Sequence, residues 1–277
     1  MDIQRNIVLT LENLSYDVNN NRLVDSITLE ILDGDKVAII GPNGSGKSTL
    51  VRLLSTELEP TDGKIIFKNI DNNDWSPVDL AKHRSVLSQS NTLSFPFTVI
   101  DIIRMGRYPN NISSANTIDD NICKNLLEIF DLSDYSDRNY ITLSGGEKQR
   151  VQLARVFAQI WSDTSYHGKL LILDEPTSFL DIKHQSMLFD FLEEMNSKGL
   201  TIIMVLHDLN HVATEANKVI MMKSAQLVGY GLVEEVFNST NLKEAFDIDL
   251  DLIKIKDINS TIIRFNKKGA IDESSSR

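Results

Sequence analysis

Residues 41–48 read Gly41-Pro42-Asn43-Gly44-Ser45-Gly46-Lys47-Ser48, with Thr49 following. The spacing G-x-x-x-x-G-K-S is that of a phosphate-binding loop, and its context is the required one. Before it lies the short apolar run Lys36–Ile40, which reads as a strand; after it comes Ser48–Leu58, which is compatible with a helix. Glycines let the backbone curl until successive N–H groups point at phosphate oxygens, and the helix that follows adds the positive end of its dipole. In such a loop Lys47 reaches the β- and γ-phosphates of a nucleotide, and the Ser48 hydroxyl ligates Mg²⁺. A glycine-rich turn that merely joins strand to helix is the simpler alternative, and the complete eight-residue pattern argues against it.

Working outward, two further apolar runs, Lys169–Leu173 and Leu200–Leu206, have the unbroken character of strands covered on both faces of a parallel sheet. The first ends in Asp174-Glu175. A buried strand places such a carboxylate at its C-terminal mouth beside the phosphate loop, where Asp174 can hold Mg²⁺ and Glu175 can face an attacking water. Toward the N-terminus, Ile7–Leu14 and Ile27–Ile31 read as strands separated by the polar hairpin segment 17–21. Between about Gln89 and Tyr166 the apolar spacing turns helical, as in Ile122, Leu126, Leu127 and Ile129-Phe130. After Gly229 the chain is acidic and mixed, and Ser274–Ser276 read as a frayed tail.

Composition narrows the function classes. A net charge of -11 argues against a surface built to neutralise nucleic-acid phosphates or anionic lipid, so no nucleic-acid partner is expected. Cys123 is the only cysteine, which rules out an internal disulfide and a multi-cysteine metal site; it reads as a small buried apolar residue. The first ten residues lack the basic start and long apolar stretch of a signal peptide, and no apolar run approaches the ~20 residues of a membrane-spanning helix. If the protein serves a membrane, other chains are expected to span it.

Leu143-Ser144-Gly145-Gly146-Glu147-Lys148-Gln149-Arg150, upstream of the acidic strand, resembles the signature sequence of ABC ATPases. Ser144 and the Gly145 and Gly146 amides open an expected helix suited to a γ-phosphate. An ordinary Ser-capped helix is the plainer alternative. The resemblance implies an α/β fold: a P-loop NTPase (RecA-like) core with an N-terminal antiparallel β-subdomain and an inserted α-helical subdomain. Residues 1–88 and 167–230 would form the core and β-subdomain, 89–166 the helical subdomain with the signature, and 231–277 a C-terminal segment and tail. It also implies a head-to-tail homodimer in which Ser144, Gly145 and Gly146 serve the partner's ATP.

Further residues stand in the family's order. Tyr16 sits where these ATPases place an aromatic on adenine, and Gln89 where a glutamine senses Mg²⁺ and the attacking water. Ser178-Phe179-Leu180-Asp181 is similar to the loop that touches the opposite subunit, with Phe179 in place of the more frequent alanine. His207, followed by Asp208, matches the histidine that contacts the γ-phosphate. The implied set is therefore Glu175, His207, Lys47 and Gln89 for hydrolysis. For ATP it is Tyr16 with residues 41–49 and, across the dimer, Ser144, Gly145 and Gly146; for Mg²⁺ it is Ser48, Gln89 and Asp174.

Within the family the chain looks like the ATPase of importers for iron compounds and cobalamin, and several stretches resemble those of haem (hemin) importers. These include Asp74-Trp75-Ser76-Pro77, Arg84, Leu93-Ser94-Phe95-Pro96-Phe97-Thr98-Val99, Gly106-Arg107, Ala158-Gln159-Ile160-Trp161 and the extra Ser162–Gly168. Siderophore-importer ATPases share Gly106-Arg107-Tyr108-Pro109, Leu180-Asp181-Ile182 and His184-Gln185, so a ferric-siderophore or cobalamin importer is the alternative, ahead of a soluble non-transport ABC ATPase. The implied partners are membrane-spanning permease subunits and, indirectly, an extracytoplasmic haem-binding protein. The implied place is the cytoplasmic face of the cell (inner) membrane. His83, His167, His184 and His211 show no ligand spacing for iron, and there is no Cys-Pro dipeptide, so haem selection is expected to lie in the other subunits.

Overall fold

A computed structural model describes residues 6–88, 95–110, 117–247, 250–255 and 260–265. The chain opens with a hairpin of β1 (Ile7–Val18) and β2 (Asn21–Leu32). Asn19 and Asn20 turn it with φ of 47° and 65°, the left-handed pair that a two-residue hairpin needs and asparagine tolerates. Both strands run several residues beyond the stretches that alternation alone suggests. In β2, Ile27, Leu29 and Ile31 are buried while Thr28 and Glu30 are exposed, as in a sheet with one solvated face. Ser26, at φ 52°, marks the irregularity that keeps Val24 buried as well.

The phosphate-loop strand β3 (Lys36–Ile40) leads into α1 (Lys47–Leu54). Then come β4 (Asp62–Phe67), β5 (Ile70–Asp71), α2 (Pro77–His83) and β6 (Arg84–Leu87). The described residues of the helical stretch include α3 (Val99–Met105), α4 (Thr117–Ile129) and α5 (Gly145–Ile160). They precede β7 (Leu170–Asp174), α6 (Ile182–Ser197), β8 (Thr201–Val205), α7 (Leu209–Glu215), β9 (Lys218–Lys223) and β10 (Gln226–Leu232). The segment after Gly229, which shows no clear pattern in sequence, holds α8 (Val233–Val236), α9 (Ser239–Phe246) and an antiparallel pair, β11 (Leu250–Ile255) with β12 (Ser260–Phe265). The serine tail lies outside the described residues.

The strands form an antiparallel sheet ordered β2-β1-β4-β5 and a six-stranded sheet ordered β10-β9-β3-β8-β7-β6. In the second, β9, β3, β8, β7 and β6 are parallel, with β10 antiparallel at the edge. All five residues of β3, β7 and β8 are buried, and neighbouring residues face two different cores. Val37, Ile39, Leu170, Ile172, Ile203 and Val205 meet α1 and the antiparallel sheet. Ala38, Ile40, Leu171, Leu173, Ile202 and Met204 meet the helices, including Phe157 of α5 and Phe191 of α6. Side chains alternate across a strand, so a run with no polar partner is what a sheet covered twice demands. Cys123 is buried on the helical side, as expected. Among the described residues no helix is long and apolar enough to cross a membrane.

Candidate nucleotide site

Strand register gathers the site. Ile39 of β3 pairs with Val205 of β8, and Val205 pairs with Asp174 of β7, so the three strands end level with one another. From that single edge emerge the loop 41–46, Glu175 and His207. The edge lies at the C-terminal ends of parallel strands, where open α/β sheets bind ligands.

The loop is walled by backbone. A Cβ on Gly41 would lie 2.2 Å from the Met222 carbonyl oxygen, and one on Gly46 2.3 Å from that of Leu23. With φ of 151° and 103°, both positions exclude other residues twice over, by conformation and by space. Leu23 belongs to the hairpin, and its neighbour Val24 pairs with Tyr16, so the hairpin carries the half-buried Tyr16 ring to the side of the loop. The Ser45 carbonyl accepts from the Ala225 N–H at the β9–β10 turn, a backbone tie with no side-chain signal in the sequence. Ser48 is exposed, Thr49 is half-buried, and Asn43 and Gly44 are exposed at the loop tip.

The charges are arranged without full compensation. The buried Lys47 ammonium donates to the carbonyls of Gly41 at 2.8 Å and Pro42 at 3.0 Å. Burial pulls its pKa down, and the Glu175 and Asp174 charges oppose that. Asp174 is 5% exposed, and among the described residues its Oδ1 has no hydrogen-bond partner. Burial, with the Glu175 charge second, pushes its carboxyl up to about 6. The Ser45 hydroxyl is buried and likewise has no partner among the described residues. A buried polar atom left without a partner is costly, and two of them at one strand edge fit a site that a ligand completes. A cation at Asp174 would relieve the raised carboxyl, so this donor set fits Mg²⁺.

Glu175 stands at φ 52°, a left-handed backbone that is unusual outside glycine and is characteristic of functional positions. Its Oε1 lies 2.7 Å from His207 Nε2, and its Oε2 accepts from the Ser178 hydroxyl at 3.3 Å. Partial burial pulls the Glu175 carboxyl upward, but the His207 hydrogen bond and charge, helped by Ser178 and Lys47, outweigh it and hold the group below its usual range. The loop onward to Leu180 is fixed from two helices: Gln149 donates to Pro176 O at 3.1 Å, and Gln185 to Leu180 O at 3.0 Å. Ser178 was legible as part of a loop motif, but its bond to Glu175 needs the fold.

The signature residues lie elsewhere. Ser144 is the N-cap of α5: its hydroxyl accepts from the Glu147 N–H, and its own N–H donates to Glu147 Oε2 at 2.7 Å. This reciprocal box closes the helix start on itself. The cleft at that end is bordered by Ser144, Gly146, Glu147 and Phe179 and includes no residue of 41–48. Phe179 is exposed at φ 66°; a Cβ on Gly145 would touch its ring at 3.4 Å, and one on Gly146 would lie 2.8 Å from its carbonyl oxygen. Lys47, Asp174, Glu175 and His207 thus converge, while Ser144–Gly146 stand apart at the start of α5. Gln89, along with Leu93 and Ser94, lies outside the described residues.

The sequence profile of the ABC transporter family matches residues 24–178, and the chain belongs to that family, whose ATP-binding subunits hydrolyse ATP. Its relatives are specific in name. It is 38% identical over 248 residues to the hemin import ATP-binding protein HmuV of Escherichia coli O157:H7, covering 89% of this chain and 95% of that one. It is 40% identical over 245 residues to the protein of the same name from Rhodopseudomonas palustris strain BisB5, covering 88% and 92%. Among solved structures, a metal-chelate type ABC transporter in an inward-facing conformation superposes with a TM-score of 0.77 at 26% identity, covering 95% of this chain and 98% of that chain.

Proposed function

We propose that this chain is the ATP-hydrolysing subunit of a translocating importer that brings haem across the cytoplasmic membrane. It would work as a homodimer on the cytoplasmic face, bound to membrane-spanning permease subunits and served by an extracytoplasmic haem-binding protein. The observation that carries the reading is the near-full-length likeness to two hemin import ATP-binding proteins.

Phosphoryl transfer to water needs alignment and charge neutralisation more than covalent chemistry. Residues 41–49 would bind the triphosphate of ATP through backbone N–H groups, with Tyr16 against adenine. Lys47, now held only by neutral carbonyls, would exchange them for the β- and γ-phosphates. Ser48, Asp174 and Gln89 would hold magnesium, which when bound neutralises charge on the phosphates. Glu175, held below its usual range and therefore ionised at neutral pH, would orient the attacking water and accept its proton. His207, paired with Glu175 in the free chain, would turn toward the γ-phosphate. Ser144, Gly145 and Gly146 of a second copy would close over that phosphate, which makes dimer closure the condition for turnover.

The importer's cargo is tested by reconstituting the assembled transporter with its binding protein and measuring ATP hydrolysis. Haem is expected to stimulate it. Stimulation by a ferric siderophore or cobalamin in place of haem would replace haem as cargo, a reading that the metal-chelate type of the structural relative also accommodates.

A further inference from the structure

Arg84 and Gln159 join the far ends of α1, which follows the phosphate loop, and α5, which opens at the signature residues. Arg84 is 6% exposed, and its guanidinium serves the C-terminal end of α1. It donates to the carbonyls of Leu54 at 2.7 Å and Ser55 at 2.9 Å, to Thr56 Oγ1 at 2.7 Å and to Asn72 Oδ1 at 3.1 Å. The last carbonyls of a helix lack partners within it, and a cation there also complements the dipole. All four acceptors are neutral, so among the described residues the charge is desolvated without a counter-charge, and burial lowers its pKa to about 10. Such a buried cation is a poor stabiliser on its own account.

The same residue is held from the other side. Gln159, in the last turn of α5, donates from Nε2 to the Arg84 carbonyl at 2.9 Å and the Ala81 carbonyl at 2.8 Å, while its Oε1 accepts from the Ser85 hydroxyl at 3.1 Å. Arg84 also opens β6, in register with Leu170 of the strand that ends in Asp174. One residue therefore anchors the phosphate-loop helix through its side chain, the signature helix through its carbonyl, and the catalytic strand through its backbone.

We propose that Arg84 and Gln159 are positioning residues that set α1 and α5 relative to one another, and so coordinate the chain's own nucleotide site with the end it offers to a partner's nucleotide. This rests on the ATPase-dimer reading above. The lever is long: α5 has 16 residues, about 24 Å at the helical rise. A pivot of about 2.5° at its far end carries Ser144 about 1 Å, and a 1 Å misplacement of reacting groups costs up to about 10²-fold in rate.

The test uses the purified full-length chain with Gln159→Leu, Arg84→Met and the conservative Arg84→Lys. Gln159→Leu is expected to bind ATP within about twofold of the unmodified chain but to hydrolyse it about tenfold more slowly per ATP-binding molecule, with KM unchanged. Arg84→Met is expected to lose about tenfold in ATP affinity, and Arg84→Lys to recover most of it. Amide hydrogen exchange supplies a readout independent of turnover. Gln159→Leu should speed exchange at 145–149 and leave 45–49 unchanged, whereas Arg84→Lys should speed 45–55 alone. Normal hydrolysis per binding molecule in Gln159→Leu, or uniform exchange changes that follow the melting temperature, would overturn the proposal. An unmodified chain that binds ATP and never hydrolyses it would instead sink the ATPase reading, with the exchange pattern still deciding the node.

Discussion

The C-terminal edge of the parallel sheet and the start of α5 are finished in opposite ways. At the sheet edge, Asp174 Oδ1 and Ser45 Oγ are buried with no partner among the described residues, Lys47 leans on backbone carbonyls, and Glu175 sits on a left-handed backbone. At the start of α5, Ser144 and Glu147 satisfy each other, and the exposed Phe179 lies against Gly145. The first end has polar groups that a ligand would satisfy. The second has its cap satisfied within the chain, and a two-copy ATP sandwich would use the two ends in these different ways.

The sharpest way to break that contrast is at the sheet edge. Glu175→Gln should lower ATP hydrolysis by about 10³-fold while ATP affinity stays within a few-fold, because the carboxylate acts on water and not on the nucleotide. Phosphate release at the normal rate would remove Glu175 from its role. Lys47→Ala should weaken ATP binding by about 10²-fold by calorimetry, through loss of the one buried ammonium in the loop. Equal affinity would mean that the loop does not hold the triphosphate.

Effects at the signature end should be smaller and should leave binding alone. Ser144→Ala removes a cap worth about 1 kcal/mol, so α5 should fray and melting fall by about 3 °C, with ATP affinity of the single copy unchanged. A matching loss of affinity would place Ser144 at its own chain's nucleotide. The smallest effect lies at the other end of α5, where Lys169 donates to Ile160 O at 2.7 Å and burial pulls its pKa down to about 8. Its folded pKa lies below that of the unfolded chain, so its contribution is full above about pH 10.5 and lost as pH falls through 8. Compared with Lys169→Met, the unmodified chain should gain roughly 1 kcal/mol between pH 8 and 10.5, a figure discounted for residual solvent contact. A melting-temperature difference that is flat across that window would contradict it.

Part of the fold and site is legible in the sequence, for physical reasons. Only glycine fits beside the Met222 and Leu23 carbonyls, so the loop had to display its glycines openly. Strands β3, β7 and β8 face two cores, so they had to be apolar throughout. Strands β4 and β6 are short and mixed, β9 is flanked by lysines, and none carries such a mark; their place comes from pairing. The phosphate-loop helix stops at Leu54 where periodicity allows Leu58: Thr56 turns left-handed at φ 63°, and Arg84, 30 residues on, takes the carbonyls freed there. The bond between Ser178 and Glu175 and the packing of Phe179 on Gly145 likewise depend on a loop whose path is set by Gln149 and Gln185.

The claim beneath all of this is that each copy lends its Ser144 end to the other's ATP. Sedimentation of the Glu175→Gln chain with magnesium and ATP, alone and combined with Ser144→Arg, tests it most directly. The single variant should sediment as a dimer with ATP and as a monomer with ADP, and adding Ser144→Arg should leave a monomer that still binds ATP. An ATP-dependent dimer that survives Ser144→Arg unchanged would contradict the account.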